Sequence, residues 1–152
     1  MIDKLLTEDR IAISIECDNW REVVGECGKL LVDANDVEKP FVDSMIDVVE
    51  EFGPYMILAP EVAFFHGRPS ESVHRVCISL VTLAKPVVFE EYKKEKIKCA
   101  FAFGAMDSES HINVLKGVAG LLQDKEFLNL IRENGEKKEI LEAINRVCSI
   151  SN

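Results

Sequence analysis

The sequence predicts an α/β fold: a single-domain sandwich in which a mixed β-sheet of about five strands is flanked by helices on both sides. Two observations lead to it. Helical patterns come first, apolar segments of strand length occupy the middle of the chain, and helical patterns return at the end. The 152 residues, 47% of them hydrophobic, suit one domain with its own core. With neither a repeat nor a linker visible, we expect residues 1–152 to form that domain.

One strand and two helices are predicted in the first third of the chain. Residues 11–15 favour a strand, and Asn19 with Glu22 is a capping-box pattern that starts the first helix. Asp36 to Pro40 opens the second helix, which Gly53-Pro54 ends. The inner faces of the two helices are predicted at Trp20, Val23, Val24, Cys27, Leu30 and Leu31, and at Phe41, Met45, Val48, Val49 and Phe52.

Four more strands are predicted in the middle, at residues 55–59, 62–65, 76–83 and 97–103. The second of these runs directly into His66-Gly67-Arg68-Pro69. Lys85-Pro86 is expected to start a connection with a turn at Glu90-Glu91. The rest is helical, with a break at Asn134-Gly135. The three helical faces are predicted at Ile112, Leu115, Val118 and Leu122, at Phe127, Leu128 and Ile131, and at Ile140, Leu141, Ile144 and Val147.

Composition excludes several classes of function. A net charge of −9, from 18 basic and 27 acidic residues, argues against nucleic-acid binding, which needs a basic surface. The first residues lack a secretory pattern and no apolar run reaches the length of a membrane span, so we expect a cytoplasmic protein that does not insert into the membrane. The cysteines are odd in number and without CxxC spacing, which favours buried reduced thiols and argues against zinc. They are Cys17, Cys27, Cys77, Cys99 and Cys148.

The acidic residues are concentrated between Asp33 and Glu61. Eight acids lie in this stretch against one base, Lys39. The pattern is compatible with an ordinary solvated helix face. It is also compatible with a docking rim that steers a basic partner protein.

Two of the three histidines lie where a ligand site is expected. His66 follows an apolar strand and precedes Gly67, which leaves room beside the imidazole, and Arg68, whose guanidinium suits a phosphate or carboxylate. His111 follows Asp107 and Ser108, either of which is a plausible N-cap, so it falls in the first helical turn, where an anion is favoured. His74, in a polar surround, is expected at the surface.

The chemistry of this set is narrowed by what the sequence lacks. A metal site needs a third ligand nearby, a Ser/His/Asp site needs a motif such as GxSxG, and nucleotide use needs a glycine-rich phosphate loop. The cysteines lie on apolar faces without an activating charge, although a Cys/His pair stays open. The best remaining fit is a nucleophilic imidazole, His66, that becomes phosphorylated, with Arg68, His111 and backbone N–H groups offsetting the charge.

The residues around both histidines resemble a known family. Residues 53–69, GPYMILAPEVAFFHGRP, resemble the active-site stretch of the IIA components of the phosphoenolpyruvate-dependent sugar phosphotransferase system (PTS). The resemblance is to the mannitol/fructose type, and within it to the ascorbate-type branch. Residues 107–111, DSESH, resemble its second signature, and Ser79-Leu80-Val81 followed by Lys85-Pro86-Val87 also fits. The resemblance spans nearly the whole chain.

The resemblance implies a phosphoryl relay. In such a relay the carrier HPr would phosphorylate His66, and His66 would pass the group to a cysteine of a partner IIB component. The membrane IIC component would take part only indirectly. His111 is expected to orient or stabilise the phosphohistidine, and Arg68 to pair with the phosphate. Gly67, Ser108 and Ser110 are expected to contact it. No metal or organic cofactor is implied. The docking face of HPr is partly basic, so the acidic stretch between Asp33 and Glu61 would suit it as a docking surface.

The sequence departs from that family at three places. Phe65 and Gly67 stand where the ascorbate-type branch usually has Pro and Ala, and Val48 stands where mannitol-type members carry an arginine. These changes keep two further interpretations open: a regulatory PTS-like module without a direct role in transport, and a relative that binds without being phosphorylated. The sugar, whose specificity resides in IIC, stays open among ascorbate, a pentitol, fructose and mannitol.

Overall fold

Five strands form one sheet in the computed structural model, which describes residues 2–53, 57–68, 70–90 and 95–150. In spatial order the strands are β1 (Ile11–Ile15), β4 (Cys77–Phe89), β5 (Glu95–Gly104), β3 (Val62–His66) and β2 (Ile57–Ala59). Strands β1 and β4 are parallel, as are β3 and β5, whereas β4 and β5, and β2 and β3, are antiparallel. The mixed sheet of about five strands is thereby confirmed.

Helices cover both faces of this sheet. Successive side chains of a strand point to opposite faces, so one strand can contribute to two cores. In β3, Ala63 and Phe65 join one apolar core, and Val62 and Phe64 join the other. The first core lies under α2 (Trp20–Asp33) and α3 (Lys39–Phe52). The second lies under α1 (Ile2–Leu5), α4 (Ser108–Leu122), α5 (Lys125–Arg132) and α6 (Lys137–Ile150), and a 3₁₀ turn at Glu8–Arg10 precedes β1.

The predicted start of α2 is confirmed at its cap. The Asn19 side chain accepts a hydrogen bond from the backbone N–H of Glu22 at 3.0 Å. The returning bond of the capping box differs from the prediction, since the Glu22 carboxylate accepts from the N–H of Asp18, one residue before the cap.

The predicted connection at Lys85-Pro86 is wrong, because β4 continues through it to Phe89. β1 pairs with β4 only as far as Leu83, so beyond that point β4 has β5 alone as its neighbour. The pairing with β5 shifts between Thr82 and Val87, and Pro86 lies exposed within that irregularity. Proline is tolerated in a strand at such a place because no ladder bond is required from its nitrogen.

Two apolar residues predicted to face the core are exposed instead. Phe52 and Ile112 are 51% and 48% accessible, whereas Val48 and Val49 on α3 and Val118 on α4, predicted on the same faces, are buried. The buried stripe of α4 runs through Val114, Val118 and Leu121, which turns Ile112 away from the core. The inner faces predicted for α5 and α6 are confirmed by the burial of their leading apolar residues, Phe127 and Ile131, and Ile140 and Ile144.

Some predictions fall outside the described residues. The strand predicted at residues 55–59 is seen only as β2, since Tyr55 and Met56 are not described, and Pro54, Pro69 and Glu91 are likewise outside the described ranges. Within those ranges, every helix is too short or too polar to cross a lipid bilayer.

Candidate active site

His66 is the last residue of β3 and lies at the end of the sheet where the parallel strands β3 and β5 both finish. The two strands are parallel, and His66 is paired in register with Phe103 of β5. Because paired residues share a face, His66 and Phe103 project side by side. Crevices at the carboxyl ends of strands are the usual place for ligands in α/β sheets.

Helix α4 brings His111 to the same place. Its N-cap is Asp107, whose carboxylate accepts from the backbone N–H of Ser110 at 2.8 Å and from the Ser110 hydroxyl at 2.9 Å. These bonds, the backbone one first, lower the pKa of the Asp107 carboxyl. The N–H of His111 donates to the Asp107 carbonyl at 3.1 Å, which is the first bond of the helix. The cap predicted at Asp107 or Ser108 is therefore Asp107.

The two imidazoles meet edge to face. The ring centroids of His66 and His111 are 6.0 Å apart, with an angle of 88° between the ring planes. Phe103 touches both, at 5.8 Å from His66 and 5.1 Å from His111. The structure thus brings together the two histidines that the sequence singled out.

A cleft of about 580 Å³ opens over these rings between α3 and α4. Its polar lining consists of His66, Arg68, Asp107, Ser108 and His111, with the backbone of Gly67. Its apolar lining consists of Val48, Phe52, Phe103, Ala105 and Ile112. This apolar wall was not predicted from the sequence. The i, i+4 pair Val48 and Phe52 was expected to face the core, and Phe103 was expected only as the end of a strand.

The electrostatic setting keeps His66 neutral. Burial of the ring is the main cause that lowers the pKa of His66, and the neighbouring His111 lowers it further, while a hydrogen bond with the backbone of Gly67 opposes them. Burial disfavours the charged imidazolium, and so does a second ring that carries a proton. At neutral pH the ring is therefore uncharged, with a lone pair available for attack on an electrophile.

Arg68 lies at the mouth of the cleft and is held by a carboxylate. Its Nη2 donates to the Oε2 of Glu51 in the last turn of α3. Both side chains are about half exposed, at 52% and 54%. A surface pair of this kind is weak, so the guanidinium remains available to an anion that enters the cleft.

Gly67 lines the cleft, and its backbone also packs closely on α3. A Cβ at this position would lie 2.2 Å from the Ser44 Oγ and 2.8 Å from the Phe41 Cε1. The missing side chain therefore leaves room for α3. Close packing of this backbone on α3 fixes the start of the loop that carries Arg68.

Ser108 and Ser110 occupy different places. Ser108 lines the cleft, as expected for a phosphate contact. Ser110 is not among the described lining residues, and its hydroxyl is bonded to Asp107. Its part in the site is to hold the cap of α4.

The acidic stretch is divided by the fold. Asp36 is fully buried, where its carboxylate accepts from Arg10 Nε at 2.6 Å and Nη2 at 2.9 Å, so it cannot belong to a docking rim. Four exposed acids, Asp33, Glu38, Glu50 and Glu51, have partners in Lys29, His74, Arg21 and Arg68. Asp43 and Asp47 lie exposed on the outer face of α3, one turn apart.

The remaining reactive groups lie outside the cleft. Cys17, Cys27, Cys77 and Cys99 are buried and reduced, as predicted, and burial raises the pKa of each thiol, to about 11 for Cys17. Cys148 is reduced and half-buried. His74 is exposed, and its ring contacts Glu38 and the Asn35 carbonyl. Among the described residues, His, Cys, Asp and Glu form no group of three that could hold a metal ion.

Comparison with known proteins gives a consistent result. A family model described as phosphoenolpyruvate-dependent sugar phosphotransferase system, EIIA 2, matches residues 4–147. Over 145 residues the chain is 34% identical to the ascorbate-specific PTS system EIIA component of Escherichia coli K12, and the match covers 95% of this chain and 94% of that protein.

Solved structures share the fold. The solution structure of the mannitol-specific cryptic phosphotransferase enzyme IIA of Escherichia coli superposes with a TM-score of 0.84 at 27% identity, over 95% of this chain and 98% of that one. The mannitol enzyme IIA of Escherichia coli, solved in complex with phosphorylated enzyme IIB, has a TM-score of 0.80 at 20% identity, over 93% and 97%.

Proposed function

The chain belongs to the phosphoenolpyruvate-dependent sugar phosphotransferase system EIIA 2 family, and from this membership we propose that it is a phosphocarrier of sugar uptake. It accepts a phosphoryl group from phospho-HPr on His66 and transfers it to a cysteine of a partner IIB component. Residues 1–152 act as one PTS EIIA type-2 domain in the cytoplasm. The observation that carries the proposal is the edge-to-face pair of His66 and His111 at the floor of an open cleft.

In the first step the neutral imidazole of His66 attacks phosphorus. One ring nitrogen forms the N–P bond with its lone pair while the bond between phosphorus and the donor breaks, and the electron pair of that bond leaves with the donor. The low pKa of His66 favours this attack, because a protonated ring has no lone pair at the attacking nitrogen. No base is needed to remove a proton from the attacking atom.

The transferred phosphoryl group carries roughly two negative charges. The cleft offers hydrogen-bond donors and positive charge to offset them. His111 and Arg68 are the side chains placed to offset them, and Arg68 exchanges Glu51 for the phosphoryl oxygens. The N-terminus of α4 adds the favourable end of the helix dipole, and Ser108 and Gly67 also line the cleft.

In the second step the IIB cysteine attacks as a thiolate. The S–P bond forms as the N–P bond breaks, and the lone pair returns to His66, so the carrier is regenerated. Support for a IIB partner comes from the mannitol enzyme IIA, which shares this fold and has been solved in complex with phosphorylated IIB.

The rim of the cleft suits protein partners. Phe52 and Ile112 expose apolar surface beside His66, and the acidic residues Asp43 and Asp47 lie on the adjoining helix. An apolar centre with a charged border is the usual composition of a protein interface. HPr and IIB would use this surface in turn, with their basic residues directed toward α3. IIC would be reached only through IIB.

The alternative of a regulatory module was motivated by Phe65 and Gly67. Phe65 is fully buried in the core under α2 and α3, and Gly67 packs against Phe41 and Ser44. Both departures therefore have a packing explanation, and the transport function is favoured. Ascorbate is the first sugar to test, because the 34% identical Escherichia coli protein is specific for it.

The test is incubation with phosphoenolpyruvate, enzyme I and HPr, followed by intact mass measurement. We expect wild type to gain one acid-labile phosphoryl group and His66→Ala to gain none. His74→Ala is the matched control, since it removes an exposed histidine outside the cleft, and it should be phosphorylated like wild type. Full phosphorylation of His66→Ala would overturn the assignment. The phosphorylated protein is then mixed with IIB. Transfer of the phosphoryl group to IIB would indicate a carrier, and its absence would indicate a regulatory module.

A further inference from the structure

Phe103 has an aromatic side chain that touches both imidazoles of the candidate site. It lies next to the end of β5, paired with His66 on β3 and with Ile78 on β4. It is only 1% exposed. Its ring is tilted by 51° against His66 and by 58° against His111, with centroid distances of 5.8 Å and 5.1 Å.

We infer that Phe103 is a positioning residue for phosphoryl transfer, which holds the His66 and His111 rings at their 6.0 Å edge-to-face separation. The inference rests on the proposed function of His66. In this role Phe103 acts through the two histidines.

Phe103 is itself held in place by its neighbours. Phe64, two residues before His66 on the same face of β3, stacks on it with centroids 4.8 Å apart and an angle of 25°. The backbone of Phe103 is held by pairing on both sides. A stiff aromatic ring fixed in this way restricts the rotation of any ring packed on it.

The two histidines need such a support because they come from different elements. His66 ends a strand of the sheet, whereas His111 lies on a helix whose first turn is held by the Asp107 cap. Each imidazole is only partly buried, so each has an open side toward the cleft. Phosphoryl transfer is mainly a matter of position and electrostatics, so a shared wall that sets both ring orientations affects the rate.

The competing interpretation is that Phe103 is only a core residue. A substitution of Phe101 is the control that distinguishes a positioning role from a core role. Phe101 lies two positions earlier on β5, on the same face, and is also fully buried. Its ring contacts Phe64 at 6.3 Å and Phe127 at 6.4 Å. Phe101→Leu therefore removes a comparable ring from the same core without removing the support of His66 and His111.

The experiment compares Phe103→Leu with Phe101→Leu in the rate of phosphorylation by phospho-HPr and in the NMR signals of the His66 and His111 rings. We expect similar losses of thermal stability in both variants. Only Phe103→Leu should slow phosphorylation, by about tenfold or more. Only this variant should also weaken the nuclear Overhauser effect between the His66 and His111 rings, because the side chain that holds them at their edge-to-face separation is lost.

The inference is overturned if Phe103→Leu reacts within about twofold of wild type, or if Phe101→Leu slows the reaction equally. If Phe103→Leu does not fold, Phe103→Met is measured in its place, because it keeps most of the volume without the ring. Failure of wild type to be phosphorylated would refute the proposed function. The nuclear Overhauser effect between the two rings would still test the positioning in both variants, which keeps the two failures distinct.

Discussion

The imidazole of His66, at the end of β3, meets that of His111, in the first turn of α4, edge to face with ring centroids 6.0 Å apart. The arrangement depends on two separate pieces of local structure. Parallel pairing of β3 with β5 places His66 beside Phe103, and the Asp107 cap starts α4 so that His111 faces the same cleft. The geometry of the pair therefore follows from a strand end and a helix cap.

The proximity of the two rings predicts how His66 titrates. Its pKa lies below the ordinary value of 6.5, chiefly through burial and then through His111. The ring should stay neutral as the pH falls through 6.5 and gain its proton only at lower pH. The fall in the phosphorylation rate at acidic pH should therefore have its midpoint below 6.5.

NMR titration of the His66 ring measures this pKa without the phosphoryl donor. In His111→Gln the neighbouring imidazole that lowers the pKa of His66 is removed, so the midpoint should move upward while remaining below 6.5 because burial persists. A wild-type midpoint at or above 6.5 would contradict the environment described for His66.

The buried carboxylate of Asp36 should be important for stability. It is fully buried and accepts two hydrogen bonds from Arg10, and the Nε of Arg75 lies 3.6 Å away. Asp36→Ala should lower the free energy of unfolding by about 3 kcal/mol, because the Arg10 guanidinium is left partly buried without its partner.

Urea denaturation measures that difference, and Asp33→Ala is the control. Asp33 lies three residues earlier, is exposed and pairs with Lys29 one turn away on α2. Its removal should change stability little. Equal effects of the two substitutions would mean that the buried pair contributes no more than a surface one.

Gly67 provides a test of the packing between the loop that carries Arg68 and α3. Gly67→Ala places a Cβ 2.2 Å from the Ser44 Oγ and 2.8 Å from the Phe41 Cε1, so the loop or the helix must move. The expected loss of stability is about 1–3 kcal/mol. Phosphorylation should slow as well, since Arg68 follows directly.

Gly25→Ala is the matched substitution for thermal and urea unfolding. Gly25 lies inside α2, and a Cβ added there would meet nothing within 4 Å, so alanine should stabilise the helix by about 0.5–1 kcal/mol. If Gly67→Ala is as stable as wild type, the close approach to α3 imposes no restriction at this position.

Much of the site could be predicted from local pattern, because its parts are local features. The strand that ends at His66 and the cap that precedes His111 are both short-range signals, which the structure bears out. Burial depends on the tertiary neighbours of a residue. Phe52 has the helical spacing of a core residue, yet it lies exposed at the cleft, in the last position of α3.

The other errors have the same origin. Asp36 looked like one acid among eight, and only the approach of Arg10 from before β1 makes it a buried partner. The extension of β4 past Pro86 depends on β5, which supplies pairing where β1 has ended. Neither long-range contact leaves a mark in the neighbouring sequence.

His74 should contribute to stability in a pH-dependent way. Its Nε2 lies 3.0 Å from the Glu38 carboxylate and its Nδ1 lies 3.2 Å from the Asn35 carbonyl, so the protonated ring donates to both. The bond to Glu38 is the main cause that raises the pKa of His74, with Asn35 next, while Arg75 opposes them.

A raised pKa in the folded state means that the native protein holds this proton more tightly than the unfolded chain. The stabilisation is therefore fully present below the unfolded value of 6.5 and is lost as the pH rises through the folded pKa. The difference in unfolding free energy between wild type and His74→Gln should be largest below pH 6.5 and should shrink at alkaline pH. Denaturation at several pH values measures it, with Glu38→Gln expected to remove most of the same pH dependence. A difference that stays constant across the range would show that the His74 contacts do not depend on its charge.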